Sequence, residues 1–481
     1  MKKHNTLWLV IFTILFCTLL TWILPITYLN GGFVSDVRSQ VGLADFFTYP
    51  SYLIYNFGYI FALVILIGAF YGLLEKTGAY RTLLERIVKH VKGREIIWLI
   101  ITVLLSACII SLTGFTYEAL LFYPFIIAII LMLGYDKITA CLVTLGSTAV
   151  GIIGSTFSTL VNGTFNDLLN ESGSYVSYTS LLKVKLGLLL VCSLLLIGYI
   201  ILYVKRHPRS IIDKVKDTFT ENESMFVPTY KDSNKKVWPL VIILVFISII
   251  TVMGYIGWNN AFGLTCFEDF IEWLENLTLF DYAVFAKIIG TSSLTAFGSW
   301  SYNEFIVFLL AMVVVIKLVY NVKFVDMFDS MKDGFKKYVY SAGIIILSYT
   351  VLITMSNHPV VLTALKPVLE ITNGFNSITL TFGTMVSCLF STDLTFYSYG
   401  VLPLTYVTSA ITDTSVYPLA ELITQTVFGL SLLFAPTSVC MLFNLSGLDI
   451  KYGEWLKNIW ILILTLLLVL ILAFTVILLL I

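Results

Sequence analysis

Apolar residues run along this chain in blocks of 18 to 30, with the polar ones gathered between them, a pattern that predicts membrane-spanning helices. Nine blocks are long enough to cross a bilayer: 7–24, 53–74, 138–161, 180–204, 237–257, 303–320, 338–356, 416–445 and 458–481. The first follows Met1-Lys2-Lys3-His4-Asn5 but leads into Pro25-Ile26-Thr27 without a small-x-small cleavage pattern, so it reads as a retained span. Two regions do not fit simple crossing. Residues 96–133 are apolar for 38 positions yet flanked by basic residues at both ends, which predicts a re-entrant hairpin with arms of about 16 residues and a tip at Leu112-Thr113-Gly114-Phe115-Thr116. Residues 375–410 have the same shape, with a tip at Ser391-Thr392-Asp393-Leu394-Thr395, and should open from the opposite face. Residues 281–299 read as an interfacial or partly re-entrant helix.

The two hairpins repeat each other. Thr113-x-x-Thr116 with Pro124 recurs as Thr392-x-x-Thr395 with Pro403, at a constant offset of 279 residues, and the same offset carries span 53–74 onto the span at 338–356. The expected fold class is therefore an all-α polytopic membrane protein with nine transmembrane helices and two re-entrant hairpins in two inverted-topology repeats. The first repeat covers 1–204, a cytoplasmic loop and linking span cover 205–257, an outer loop with the interfacial segment covers 258–302, and the second repeat covers 303–481. Inverted repeats are the mark of secondary transporters, whose sites lie at mid-membrane between discontinuous helices.

Composition agrees with a bilayer. Of 481 residues, 58% are hydrophobic and 12% charged, and the mean hydropathy is +0.93. The 29 acidic and 29 basic residues cancel, which removes the electrostatic footprint of a nucleic-acid binder. The basic residues are unevenly placed: 23 fall in segments that are cytoplasmic if the N-terminus is inside, against five outside (Arg38, Lys183, Lys185, Lys287 and Lys366), so the C-terminus is expected outside the cell membrane. Seven cysteines form no C-x-x-C pair, four histidines no H-E-x-x-H, and no G-x-x-x-x-G-K-[ST] occurs, so no metal site, cofactor or ATP-driven pumping is expected.

Candidate chemistry sits at four places. The hairpin tips supply Thr113, Gly114 and Thr116, and Ser391, Thr392, Asp393 and Thr395. The span after each hairpin is interrupted by small and hydroxyl residues, with Gly154, Ser155, Thr156 and Ser158 in the first repeat and Pro436, Thr437 and Ser438 in the second. Such residues break helices, and half-helix ends and hydroxyls can hold a carboxylate or a coupling Na⁺ or H⁺; they also serve close helix packing. Two intramembrane carboxylates are expected, Glu118 and Asp393, as candidates for the coupling cation or for a substrate ammonium group. No Lys or Arg is expected near the midplane, so hydroxyls and helix ends would hold a substrate carboxylate. Segments 76–94 and 357–374 read as surface helices ahead of each hairpin.

At these residues the chain resembles the ion transporter superfamily, and within it the YfcC and anaerobic dicarboxylate-carrier branch. The resemblance rests on Gly68-x-x-x-Gly72-Leu73-Leu74-Glu75-Lys76-Thr77-Gly78-Ala79, Phe122-Tyr123-Pro124, Leu133-Gly134-Tyr135-Asp136-Lys137-Ile138-Thr139, Gly151-x-x-Gly154-Ser155-Thr156 and Pro436-Thr437-Ser438. Ser391-Thr392-Asp393 and Tyr399-Gly400-Val401-Leu402-Pro403 look nearer to citrate carriers. The resemblance implies a homodimer in membrane lipid, with a scaffold that holds a moving transport domain. The expected function is elevator-like transport of a small carboxylate-bearing metabolite, an amino acid or a di- or tricarboxylate, coupled to a cation or run by exchange. A basic amino acid exchanger of the arginine/ornithine type is the second reading, and an intramembrane enzyme a remote third.

Overall fold

The structure is a computed structural model and describes residues 5–29, 32–37, 39–171, 176–207, 225–228, 236–279, 282–289, 294–371, 374–394, 404, 407, 411 and 413–480. Helix α1 (Asn5–Ile23) is followed by a short β-hairpin, β1 (Ile26–Leu29) with β2 (Gly32–Val37). Next come α2 (Asp45–Thr77), the short α3 (Ala79–Val91), α4 (Glu95–Thr113), α5 (Tyr123–Met132), α6 (Lys137–Ile153), α7 (Thr164–Glu171) and α8 (Leu182–Arg206). The linking helix α9 (Trp238–Tyr255) leads to α10 (Trp258–Phe262), α11 (Cys266–Glu275), the two-residue strands β3 (Thr278–Leu279) and β4 (Tyr282–Ala283), and α12 (Val284–Ile289). Then follow α13 (Tyr302–Val319), α14 (Phe324–Asn357), α15 (Val361–Leu369), α16 (Ser377–Cys388), α17 (Tyr417–Ser431), α18 (Val439–Leu448) and α19 (Tyr452–Leu478).

Among the described residues, eight helices are long and apolar enough to cross a membrane: α1, α2, α4, α8, α9, α13, α14 and α19. The difference from nine has a local cause. Blocks 138–161 and 416–445 are not single helices, because α6 stops at Ile153 and α17 at Ser431, each before its cluster of Gly, Pro and hydroxyl residues. Conversely, the first arm of the 96–133 hairpin is longer than expected: α4 has 19 residues, and α5, which starts at Tyr123 with Pro124 in its first turn, only 10. Of the stretch 281–299, the described part holds the six-residue α12, and residues 290–293 lie outside the described residues. The second arm of 375–410 lies almost wholly outside the described residues.

Polarity runs inside out. Each of the eight long helices points large apolar side chains outward, such as Phe12, Ile101, Leu190, Ile249, Val314 and Leu468, while the broken helices at the centre are buried nearly all round. Their hydroxyls are satisfied one turn back, as in Thr144 Oγ1 to Ala140 O at 2.9 Å and Thr424 Oγ1 to Ala420 O at 2.8 Å. Around this centre α2 and α14 cross without side chains between them. A Cβ at Gly72 would lie 2.2 Å from Ser330 O, and one at Gly334 2.1 Å from Gly68 O. Beyond the crossing, Lys337 Nζ meets both Glu75 carboxylate oxygens at 2.8 and 2.9 Å. Both expected surface segments hold short helices, α3 and α15; α3 buries Leu83, Leu84 and Val91 and exposes Arg86 and Lys89.

Candidate functional site

The first tip rests on the first break. Helix α4 ends because Gly114, at φ +73°, turns the chain in the left-handed region, and a Cβ there would lie 2.0 Å from Ser158 Oγ. Ser158 Oγ donates to Thr113 O at 2.8 Å and caps the next turn by accepting from Val161 N at 3.0 Å. Thr156 N donates to Ser111 O at 2.8 Å, Ser111 Oγ donates to Gly154 O, and Asn162 Nδ2 donates to Thr156 O. Helix α17 reaches the same break, where Gln425 Nε2 donates to Ser155 O at 3.1 Å. Gly154 lies against Leu189 of α8, with a Cβ there only 2.4 Å from the Leu189 Cβ. Thr113, Gly114, Thr116, Gly154, Ser155, Thr156 and Ser158 are thus brought together and buried.

The second tip meets the second break in a similar way. Thr437 Oγ1 donates to Leu389 O at 3.3 Å, and Ser438 caps α18, accepting from Met441 N at 3.4 Å. Ser391 Oγ accepts from Asp393 N at 3.2 Å. Ser391, Thr392, Asp393, Thr437 and Tyr349 line a cleft with a volume of about 10 Å³, room for roughly one water. Pro436 is half-buried beside it. Thr395 and Pro403 lie outside the described residues.

The two tips are joined through tyrosines that the sequence pattern did not single out. Tyr349 of α14 donates to Asp393 Oδ2 at 2.8 Å, and its oxygen lies 2.5 Å from the Tyr117 hydroxyl, which must then donate to it. Tyr117 stands edge-on to Tyr302 at 5.2 Å, and Tyr302 stacks on Tyr59 at 5.4 Å. The Cys440 thiol of α18 donates to Thr116 O at 3.1 Å, tying the second break to the first tip.

Glu118 follows Tyr117 and is wholly buried, and neither carboxylate oxygen has a hydrogen-bond partner among the described residues. The hydroxyl of Tyr255, which donates to Ser301 O at 2.9 Å, stands beside this carboxylate. A charged carboxylate buried this deeply is costly.

Two expectations about charge need correction. Glu421, within the 416–445 block, is a third buried intramembrane carboxylate, and Lys185, counted among the outer-segment charges, is buried. Lys185 Nζ lies 3.1 Å from Glu421 Oε1, each side chain 2% exposed. Glu421 was readable as an acid flanked by Ala420 and Leu422 in an apolar run. Lys185 was hidden because it falls at the outer edge of block 180–204, where a charge reads as exposed, whereas α8 begins at Leu182 and holds it buried in its first turn.

Compared with known proteins, residues 31–480 match the family model DcuC, C4-dicarboxylate anaerobic carrier. The fold is similar to that of the YdaH transporter of Alcanivorax borkumensis in its crystal structure, at 13% sequence identity, 98% coverage of each chain and a TM-score of 0.41. No curated protein matches the chain in sequence.

Proposed function

Because the chain belongs to the family of C4-dicarboxylate anaerobic carriers, we propose that this multi-pass membrane transporter, which is not an enzyme, moves a C4-dicarboxylate across the cell membrane by secondary active transport. The observation that carries the reading is the meeting of two tips and two breaks around Asp393 and Glu118. Ser158 and Ser438 cap the helical segments that restart after each break, and the positive ends of those segments suit the two carboxylates of the substrate.

The cleft at the second tip is too small for a four-carbon diacid. Loading therefore requires Tyr117, Tyr349 and Asp393 to part, and an elevator-like step would carry tips and breaks past α2 and α14. Glu118 and Asp393 are the groups we assign to the coupling cation, Na⁺ or H⁺. The count of basic residues supports a cytoplasmic N-terminus, and the apolar outer faces of the long helices suit lipid and a second copy in a homodimer.

The test is a thermal-unfolding screen of the detergent-purified protein with C4-dicarboxylates, citrate and arginine, in Na⁺ and in choline, at two pH values. A C4-dicarboxylate at 100 times its Kd should stabilise the fold by about 2.7 kcal/mol, and uptake by proteoliposomes should follow the same specificity. A response to arginine alone would replace this reading with basic amino acid exchange. Unchanged uptake kinetics in well-folded Thr113→Ala, Thr116→Ala, Thr392→Ala and Thr437→Ala variants would remove the tips from the site.

A further inference from the structure

Ser158 and Thr437, two of the hydroxyls expected to receive the substrate's carboxylates, are already engaged in holding tip to break, yet a buried cation stands one helical turn away. We propose that Lys185 binds a carboxylate of the substrate and that Glu421 is the counter-charge that holds its ammonium group in readiness. The proposal rests on the dicarboxylate reading above.

Position makes the case from both sides. Four residues after Lys185 on α8, Leu189 packs against Gly154 of the first break. Four residues after Glu421 on α17, Gln425 donates to Ser155 O of the same break at 3.1 Å. One turn of helix rises about 5.4 Å, so the ion pair borders the broken segment along two independent helices. Tyr178, whose hydroxyl donates to Ser158 O at 2.6 Å, bonds the same break.

The pair is also badly made for a purely structural role. A buried ion pair offsets its desolvation only when its remaining donors and acceptors are satisfied. Here the Lys185 ammonium meets one carboxylate oxygen at 3.1 Å, and Glu421 Oε2 has no partner among the described residues. An ammonium group carries three N–H donors. One is directed at Glu421, and a carboxylate that reaches the break can take another in a medium where the attraction is strong.

Succinate is the probe, with butyrate (one carboxylate) and dimethyl succinate (none) beside it, measured by binding to the purified protein and by uptake into proteoliposomes. Glu421→Gln frees the ammonium charge, so succinate affinity should rise by about tenfold, a gain that misfolding cannot produce. Lys185→Met combined with Glu421→Met removes both charges together, a change that buried pairs commonly tolerate; it should fold and lose succinate affinity by about tenfold or more. Lys185→Arg, which keeps the charge, should keep most of the wild-type affinity. Wild-type affinity in a folded double variant, or weaker binding in Glu421→Gln, would overturn the assignment of Lys185 alone. If the wild type binds no C4-dicarboxylate, the transport reading falls and this assignment with it.

Discussion

A hydrogen bond has a direction, and the direction ranks the tyrosines between the tips. Tyr349 donates to Asp393 and accepts from Tyr117, so Tyr349→Phe takes the acceptor from Tyr117 and a donor from Asp393 at one stroke. Tyr117→Phe takes only a donor from Tyr349, whose own bond to Asp393 survives. Leaving buried polar groups unsatisfied costs about 1–3 kcal/mol each. Tyr349→Phe should therefore lower the unfolding midpoint more than Tyr117→Phe does, as thermal unfolding of the two variants in the same detergent will show. Equal losses would mean that the two hydroxyls do not form this chain. The same residues mark how far the sequence could be read. Hydroxyls and carboxylates at the tips stood out as polar exceptions in apolar blocks, whereas Tyr117, Tyr302 and Tyr349 are ordinary residues for a membrane helix, and only the packing of distant segments reveals them.

Between elements, closeness replaces chemistry. The backbones of α2 and α14 touch at Gly68, Gly72 and Gly334, so any side chain there must force the helices apart. Gly72→Ala and Gly334→Ala each place a methyl group within about 2 Å of a backbone oxygen, and overpacking of this kind costs about 1–3 kcal/mol or more. Gly58→Ala on α2 is the control, because a Cβ there meets nothing within 4 Å. Denaturation of the three variants should separate the first two from the third; equal stability would show that the crossing is loose. Helix identity was legible at this scale, since long apolar runs have few alternatives. Helix ends were less so. A run of apolar residues continues in sequence through Gly154–Ser158 and Ala435–Ser438 although the helices do not, which turned two broken helices into two spans. Near residue 182 the edge of a run misled in another way: Lys185, inside block 180–204 but close to its start, counts as an outer charge by its polarity, whereas it sits in the first turn of α8.

For the molecule as a whole, the long helices form a frame whose outer face is apolar, and the broken helices with their tips form a centre whose polar groups are mostly paired with one another. That centre offers a test of whether tip and break part. Cys440 is 1% exposed, and its thiol sits against the first tip at Thr116 O. A small membrane-permeant alkylating reagent can reach it only while tip and break are apart. Cys108 and Cys266 are exposed and should be modified at once, whereas Cys388, also buried, reports any general loosening. Peptide mapping of the alkylated wild-type protein should show Cys440 reacting slowly at rest and several-fold faster during turnover, with Cys388 unchanged. If both cysteines keep one pace whether or not the carrier is working, the contact between Cys440 and Thr116 belongs to a part that never opens. If Cys440 alone speeds up, a residue that neither binds cargo nor couples ions times each stroke of the carrier, and its half-life in reagent becomes a stopwatch reading of how often the gate comes undone.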